Sequence, residues 1–438
     1  MSASRLLTLT LMFALAGSAV ATPVSLRDAV DRALKNSNAI RIAQADLARS
    51  KAGLREAHDA YIPPVYLGSG LAYTNGFPLG EPEVFNLTSQ SMLYNPAQRE
   101  NIRAAKADLS ATQFSADDTR RQIILDTATS YAELQKVTAS LEVLKEQIES
   151  ATRMEELVHK RVEAGIDTQT ENTRAHLSNA RIQLKQRELQ STAELLRQHL
   201  SQLTGLPADT IETDPETIPA FPVVDQSANL GQKAIDNSLV IKAADDQAKA
   251  KELRAKGEHK QNSPTVDFVA QYALFDTTIN NYNNYYVRPL PRNNMAAGVQ
   301  IKFPLFNPTQ RAHADGADAI AERARAETTD LRNQISSETL RLQRLVAQYQ
   351  DVLKVAQLEY QLAQSDLEAL KIKSEATSLG PDQSGRTDVT PKDLETAHIA
   401  VAEKYTAVID AAFELDRAQL QLMRQTGEIE TWALSPQP

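Results

Sequence analysis

Two stretches of about two hundred residues pass through the same landmarks in the same order, and this duplication limits the fold more than any other feature. Asn36-Ser37-Asn38-Ala39-Ile40-Arg41 returns as Asn237-Ser238-Leu239-Val240-Ile241-Lys242, at an offset of 201 that still holds at Pro63 and Pro264 and at Val65 and Val266. Leu93-Tyr94-Asn95-Pro96-Ala97-Gln98-Arg99 returns as Leu305-Phe306-Asn307-Pro308-Thr309-Gln310-Arg311, at 212. His176 pairs with His398, and Thr204-Gly205 with Thr426-Gly427, at 222. The second lap has gained 11 residues and then 10, each in one place. Such a chain must use one supersecondary plan twice.

With only 15 glycines in 438 residues, turns are scarce and the elements must be long. The first repeat, 22–225, reads as a short helix over 26–61, a β-hairpin over 64–94, a long helix over 97–164 and a short helix over 169–204. The second, 226–438, reads as a short helix over 229–262, a hairpin over 265–305, a long helix over 309–376, a short helix over 392–424 and a C-terminal tail. The hairpin strands fall at 64–75 and 84–94, then at 265–276 and 294–305. Asn95-Pro96 and Asn307-Pro308 place a cap and a first-turn proline at the long helices. A helix over 97–164 rises about 100 Å. Helices 169–204 and 229–262 laid end to end match that length, as do 26–61 and 392–424. The plan therefore predicts four columns of equal height.

The long helices carry heptads. Leu134, Val137, Leu141, Leu144, Ile148, Ala151, Glu155, Val158 and Val162 step by three and four, with Glu155 as the polar intruder. In the second repeat Val346, Leu353, Tyr360 and Leu367 form one seam, and Leu342, Leu345, Tyr349, Val352 and Ala356 a second. Two seams suit a helix with neighbours on both sides. An ordinary antiparallel coiled coil would show the same heptads, so the strands decide. Val65, Leu67 and Leu71, then Val266, Phe268 and Tyr272, then Val299, Ile301 and Phe303 lie on one face, against polar or small residues on the other. Alternation of this length marks a membrane-barrel strand with those nine residues toward lipid. The plainer alternative, a half-buried soluble hairpin, leaves the apolar face with nothing to cover it. Four strands cannot close a barrel, and open edges in lipid are forbidden, so several chains must share one. The loop holding Asn280 to Tyr286 suits an outward-facing position, with recognition of sugar or RNA as the alternative.

Arg5, the apolar run Leu6 to Ala16 and Ala19-Val20-Ala21 form a signal peptide over 1–21. No other stretch approaches the ~20 apolar residues of a membrane helix. The absence of cysteine removes disulfides, thiolate metal sites, cysteine nucleophiles and an N-terminal lipid anchor. A net charge of -9 argues against nucleic acid. There is no HExxH, and Gly68-Ser69-Gly70 lacks the next glycine of a phosphate loop, so no enzyme, metal or cofactor is expected.

Over essentially its whole mature length the chain resembles the TolC-like outer-membrane efflux protein family. The likeness is carried by the paired laps, the opening Val24-Ser25-Leu26-Arg27-Asp28-Ala29-Val30, the strand ends running into Asn95-Pro96 and Asn307-Pro308, and the turn Ala164-Gly165-Ile166-Asp167-Thr168. The resemblance implies a mainly α fold with membrane β, a long coiled-coil α-barrel joined to a β-barrel shared by a homotrimer. Segments 205–228 and 425–438 would belt the helices. Such a channel passively conducts drugs, metals, other toxic compounds or exported polypeptide from periplasm to exterior, with a periplasmic adaptor and an inner-membrane pump as partners. It would sit in outer-membrane lipid with a long periplasmic extension, unanchored by cysteine. The turn Ala164, Gly165, Ile166, Asp167 and Thr168 would dock the adaptor together with Gly385 and Arg386, which stand for the family's glycine and arginine at the second turn. Asp388, Asp393 and Glu395 would be pore-entrance acids. The competing reading is a soluble periplasmic coiled-coil scaffold or pump adaptor, although an adaptor wants one helical hairpin between β-rich modules.

Overall fold

A computed structural model describes residues 23–70, 83–275, 287–288, 291–378 and 389–435. The first repeat contains α1 (Leu26–Asn36), α2 (Asn38–Asp59), β1 (Val65–Gly68), β2 (Glu83–Tyr94), α3 (Pro96–Glu163) and α4 (Gln169–Thr204). The second contains α5 (Leu230–Asn237), α6 (Leu239–Lys260), β3 (Thr265–Phe275), β4 (Asn293–Lys302), α7 (Pro308–Ser378), α8 (Pro391–Thr426) and the short α9 (Ile429–Ala433).

Each opening helix is broken where a single one was expected. Ser37 and Ser238 leave the helical conformation, and their hydroxyls accept from the N–H groups of Ala39 and Ile241, so each serine caps a new helix. The long helices begin as expected, with the Asn95 side chain accepting from the N–H of Ala97 and Gln98, and that of Asn307 accepting from Gln310.

The columns stack differently from the expected pairing. The Asn36 amide donates to the carbonyl of Thr204 at 2.6 Å, and the Asn237 amide to that of Thr426 at 3.0 Å. Both α4 and α8 end in a left-handed glycine, Gly205 (φ 75°) and Gly427 (φ 84°), and a Cβ there would press on Asn36 and Asn237. Thus α1–α2 stands on α4, and α5–α6 on α8, within each repeat rather than between them. The columns then lie side by side: α3 packs against α2 and α4 on one flank and α6 and α8 on the other, and α7 packs against α5, α6 and α8.

Helix α6 is bound on both sides. Toward α7 runs a ladder of polar contacts, the ion pairs Asp245–Arg332 (2.7 Å) and Glu252–Arg325 (2.8 Å) and the hydrogen bond between His259 and Asp318 (2.7 Å), with rungs seven residues apart on both helices. Lys256 and then Arg325 pull the Glu252 carboxyl down to about 2. Toward α3 stand Arg254–Asp108 and Lys260–Glu100 (2.6 Å). The Glu100 carboxylate is buried yet held below its usual range, chiefly by Lys260.

At mid-height the chain thickens into a core of Leu26, Val30, Ile124, Tyr131, Met423 and Ile429, and Phe221 stacks on Trp432 at 5.0 Å. This joins segment 205–228 and the C-terminal residues to the columns. Tyr131 is its polar hub. The phenol donates to the Val24 carbonyl at 2.7 Å and accepts from the Asp214 N–H at 2.8 Å.

The four strands form one antiparallel sheet in the order β1-β2-β3-β4. Strand β1 runs over Val65–Gly68 among the described residues, and Leu71, with the rest of the expected strand to 75, lies outside them, as does the loop Asn280 to Tyr286. Strand β4 stops at Lys302, so Phe303 is exposed but not part of the strand as expected. Pro304 explains this, because it has no N–H to donate.

Candidate functional site

The register gives the sheet two unlike faces. Val266 lies opposite Ile301, Phe268 opposite Val299, Tyr272 opposite Met295 and Leu87, and Leu67 opposite Leu87. Phe85 meets the Tyr272 ring edge-on at 6.2 Å on that side. Val65 shares it, facing Ser89. The opposite face carries Asn86, Thr88, Gln271, Gln300, Asp267 and Lys302, with an ion pair of 2.9 Å between the last two. Of the nine residues expected toward lipid, the described strands bring Val65, Leu67, Val266, Phe268, Tyr272, Val299 and Ile301 onto one face. None of the described helices is long and apolar enough to cross a membrane.

The far end of the columns is a tip of short-range links. Gly165 takes φ 76°, closing the turn after Ala164, and leaves Ile166 exposed. Arg161 grips Asp167 at 2.8 and 3.2 Å, and this guanidinium holds the Asp167 carboxyl below its ordinary value. Thr168 caps α4 through the N–H of Glu171. Helix α8 opens on a capping box in which Thr390 and Asp393 satisfy each other. Its hydroxyl, then its N–H, lower the Asp393 carboxyl. Two ion pairs tie α8 to α3 and α4: Glu395 to Arg153 at 2.9 and 3.3 Å, and Lys392 to Glu171 at 2.8 Å. The expected entrance acids Asp393 and Glu395 are therefore engaged in a cap and a cross-link. Gly385, Arg386 and Asp388 lie outside the described residues. Arg153, Glu171 and Lys392 were not singled out in the sequence, because nothing local distinguishes them from other helical charges. Glu155, the intruder in the heptad, is matched by His176 and by the Asn179 amide, each at 2.6 Å.

Both flanks of the wall lack partners. Helix α6, between α3 and α7, buries Ile241, Ala243, Ala248, Ala250 and Ala255, whereas its counterpart α2 buries none of its residues. Ile399 of α8 is 8% exposed, and its counterpart Leu177 of α4 is 49% exposed. On α7, Val352, Val355, Leu358 and Leu362 form an uncovered apolar stripe. Among the described residues the sheet also ends openly at β1 and β4. Among the described residues no group of His, Asp or Glu is placed to hold a metal.

Comparison with known proteins agrees with this architecture. Residues 29–206 match the family model described as outer membrane efflux protein. Protein CyaE of Bordetella pertussis is 25% identical over 312 residues, which cover 69% of this chain and only 65% of that protein, under two thirds of its length. The outer membrane protein VceC of Vibrio cholerae superposes with a TM-score of 0.71 at 19% identity, over 92% of this chain and 96% of that one. The CmeC outer membrane channel of Campylobacter jejuni gives 0.73 at 15% identity, over 92% and 85%. The open state of the MtrE outer membrane channel of Neisseria gonorrhoeae gives 0.74 at 13% identity, over 92% and 89%. The fold is that of outer-membrane channels, with a long helical barrel and tandem repeats.

Proposed function

We propose that the chain is a member of the outer membrane efflux protein family, whose model its residues 29–206 match, and one subunit of a homotrimeric outer-membrane channel that passively conducts small molecules or exported polypeptide out of the periplasm. The observation that carries this reading is a sheet largely apolar on one face, polar or small on the other apart from Val269 and Phe275, and unpaired at both edges among the described residues, set on a wall of helices whose flanks are also uncovered. Unpaired strands can persist in lipid only by pairing with further strands until a barrel closes. The apolar face then meets lipid, and the face with Gln271, Gln300 and the Asp267–Lys302 pair meets water. No step of chemistry is needed, and conduction requires only a hydrated path.

The helical tip supports a docking role. Ala164 to Thr168, with Gly385 and Arg386, would receive a periplasmic adaptor, through which an inner-membrane pump supplies energy. Asp388, Asp393 and Glu395 would set the charge at the mouth. Fractionation tests the placement. The protein should remain with outer membranes after an alkaline carbonate wash, and release into the wash would favour a soluble periplasmic scaffold.

A further inference from the structure

From the two repeats we infer the residue register in which α7 of a second copy seats in the groove beside α2. The inference rests on the assembled channel proposed above and adds which residues meet. Within one chain, α6 lies between α3 and α7. By the repeat, α2 lies between α3 of its own chain and α7 of a second copy, and the α3–α6 seam is the template for the missing one. The correspondence is exact enough in side-chain detail to be used. Gln98 donates to the carbonyl of Ala57 and Gln310 to that of Glu258, and Thr127 and Thr339 are both fully buried and both donate back to the carbonyl four residues earlier.

Three positions of the α3–α6 seam then translate into three contacts between copies, using the offsets 201 and 212. Gly257 faces Glu100, so close that a Cβ on the glycine would lie 3.6 Å from that of Glu100; the counterparts are Glu56 and Ala312 of the second copy. Ala250 packs against Ala104, both wholly buried; the counterparts are Arg49 and Gly316. Arg254 pairs with Asp108; the counterparts are Gly53 and Ile320. At the first position the large residue has moved from the long helix to the short one, and at the third an ion pair has become an isoleucine facing a glycine. Size complementarity survives each exchange although the chemistry does not. That is what two surfaces matched to each other would show.

The free surfaces agree. Arg49 and Glu56 are both exposed. Nothing lies within 4 Å of where a Cβ would stand on Gly53 or on Gly316, and Ile320 is 56% exposed. In the assembled state Ile320 enters the gap at Gly53, Gly316 makes room for the Arg49 stem, and Ala312 lies under Glu56.

The natural chain has no cysteine, so paired cysteines read the register without background. The full-length double variant Glu56→Cys with Ala312→Cys, oxidised in detergent or membranes, should pass from monomer to a covalent three-chain band on a non-reducing gel, because a spacing near 3.6 Å falls within the ~3.5–4.5 Å of disulfide Cβ atoms. Each single variant should stay monomeric on the gel. Glu56→Cys with Ala319→Cys, about two helical turns out of register, should also stay monomeric. Should the first pair perturb assembly, Gly53→Cys with Ile320→Cys, bridged by a short bis-maleimide, reads the same register. Cross-linking of the shifted pair instead, or no cross-link by either in-register pair in a protein still trimeric by mass, overturns the register and leaves the channel reading intact. A protein monomeric by mass removes both.

Discussion

Removing one oxygen atom from Tyr131 should loosen the mid-height core without disturbing its packing. In Tyr131→Phe the ring stays in its cavity, where the native residue is 1% exposed, but two backbone groups lose their partner. The Val24 carbonyl loses its donor at 2.7 Å and the Asp214 N–H its acceptor at 2.8 Å. An orphaned group of this kind costs about 1–3 kcal/mol. Val24 keeps its second tie, its N–H to the Glu212 carbonyl, so we take the lower part of that range for each. Together they give roughly 2–4 kcal/mol. At 1.4 kcal/mol per factor of ten, segment 205–228 should open about 30 to 1,000 times more often. Segment 205–228 contains no Lys or Arg but does contain Glu212 and Glu216, so cuts by a glutamate-specific protease located at those two residues by mass spectrometry, on the assembled protein, read that opening. With cleavage slower than reclosing, the initial cutting rate follows the open population. Equal rates for native and variant protein would show that the phenol does not hold the segment.

Burial lifts the Asp416 carboxyl from its ordinary 3.8 to about 6. Because the folded state binds this proton more tightly, the associated stability is present below the unfolded value and is lost as pH rises through about 6. Asp416→Asn should thus stabilise the protein at pH ~8 by up to about 3 kcal/mol and leave it nearly unchanged at pH ~4, read as urea midpoints at the two values. Val299→Asp with Ile301→Asp places charge on the apolar face, at roughly 2 kcal/mol each near mid-membrane, and should block outer-membrane assembly while helix content by circular dichroism persists. Normal insertion of that variant would reverse the assignment of faces. Gly205→Ala and Gly427→Ala each force a left-handed alanine against Asn36 or Asn237, costing about 1–2 kcal/mol and lowering the melting temperature.

The sequence makes local features legible and hides those that join distant residues. Asn95-Pro96, Asn307-Pro308 and the heptads report helix starts and seams because caps and side-chain periodicity act over a few residues. The break at Ser37 and Ser238 was also local, a serine after asparagine in both repeats, but continuous apolar spacing masked it. How the columns stack depends on Asn36 meeting Thr204 and Asn237 meeting Thr426, across the whole of a hairpin and a long helix. Equal lengths allowed either pairing, and only those contacts choose. At the tip, Asp393 and Glu395 stand out as acids, yet their engagement by Thr390 and Arg153 is a matter of geometry. Phe303 follows the strand's alternation perfectly. The proline after it, rather than the pattern, ends the ladder.

The central claim is that separate copies of this wall close around water. Single-channel recording on the purified, detergent-solubilised protein added to a planar bilayer tests it most directly. The account predicts discrete, uniform current steps from a species containing three chains. A protein that yields no steps at any voltage, although folded and free of denaturant, would contradict it.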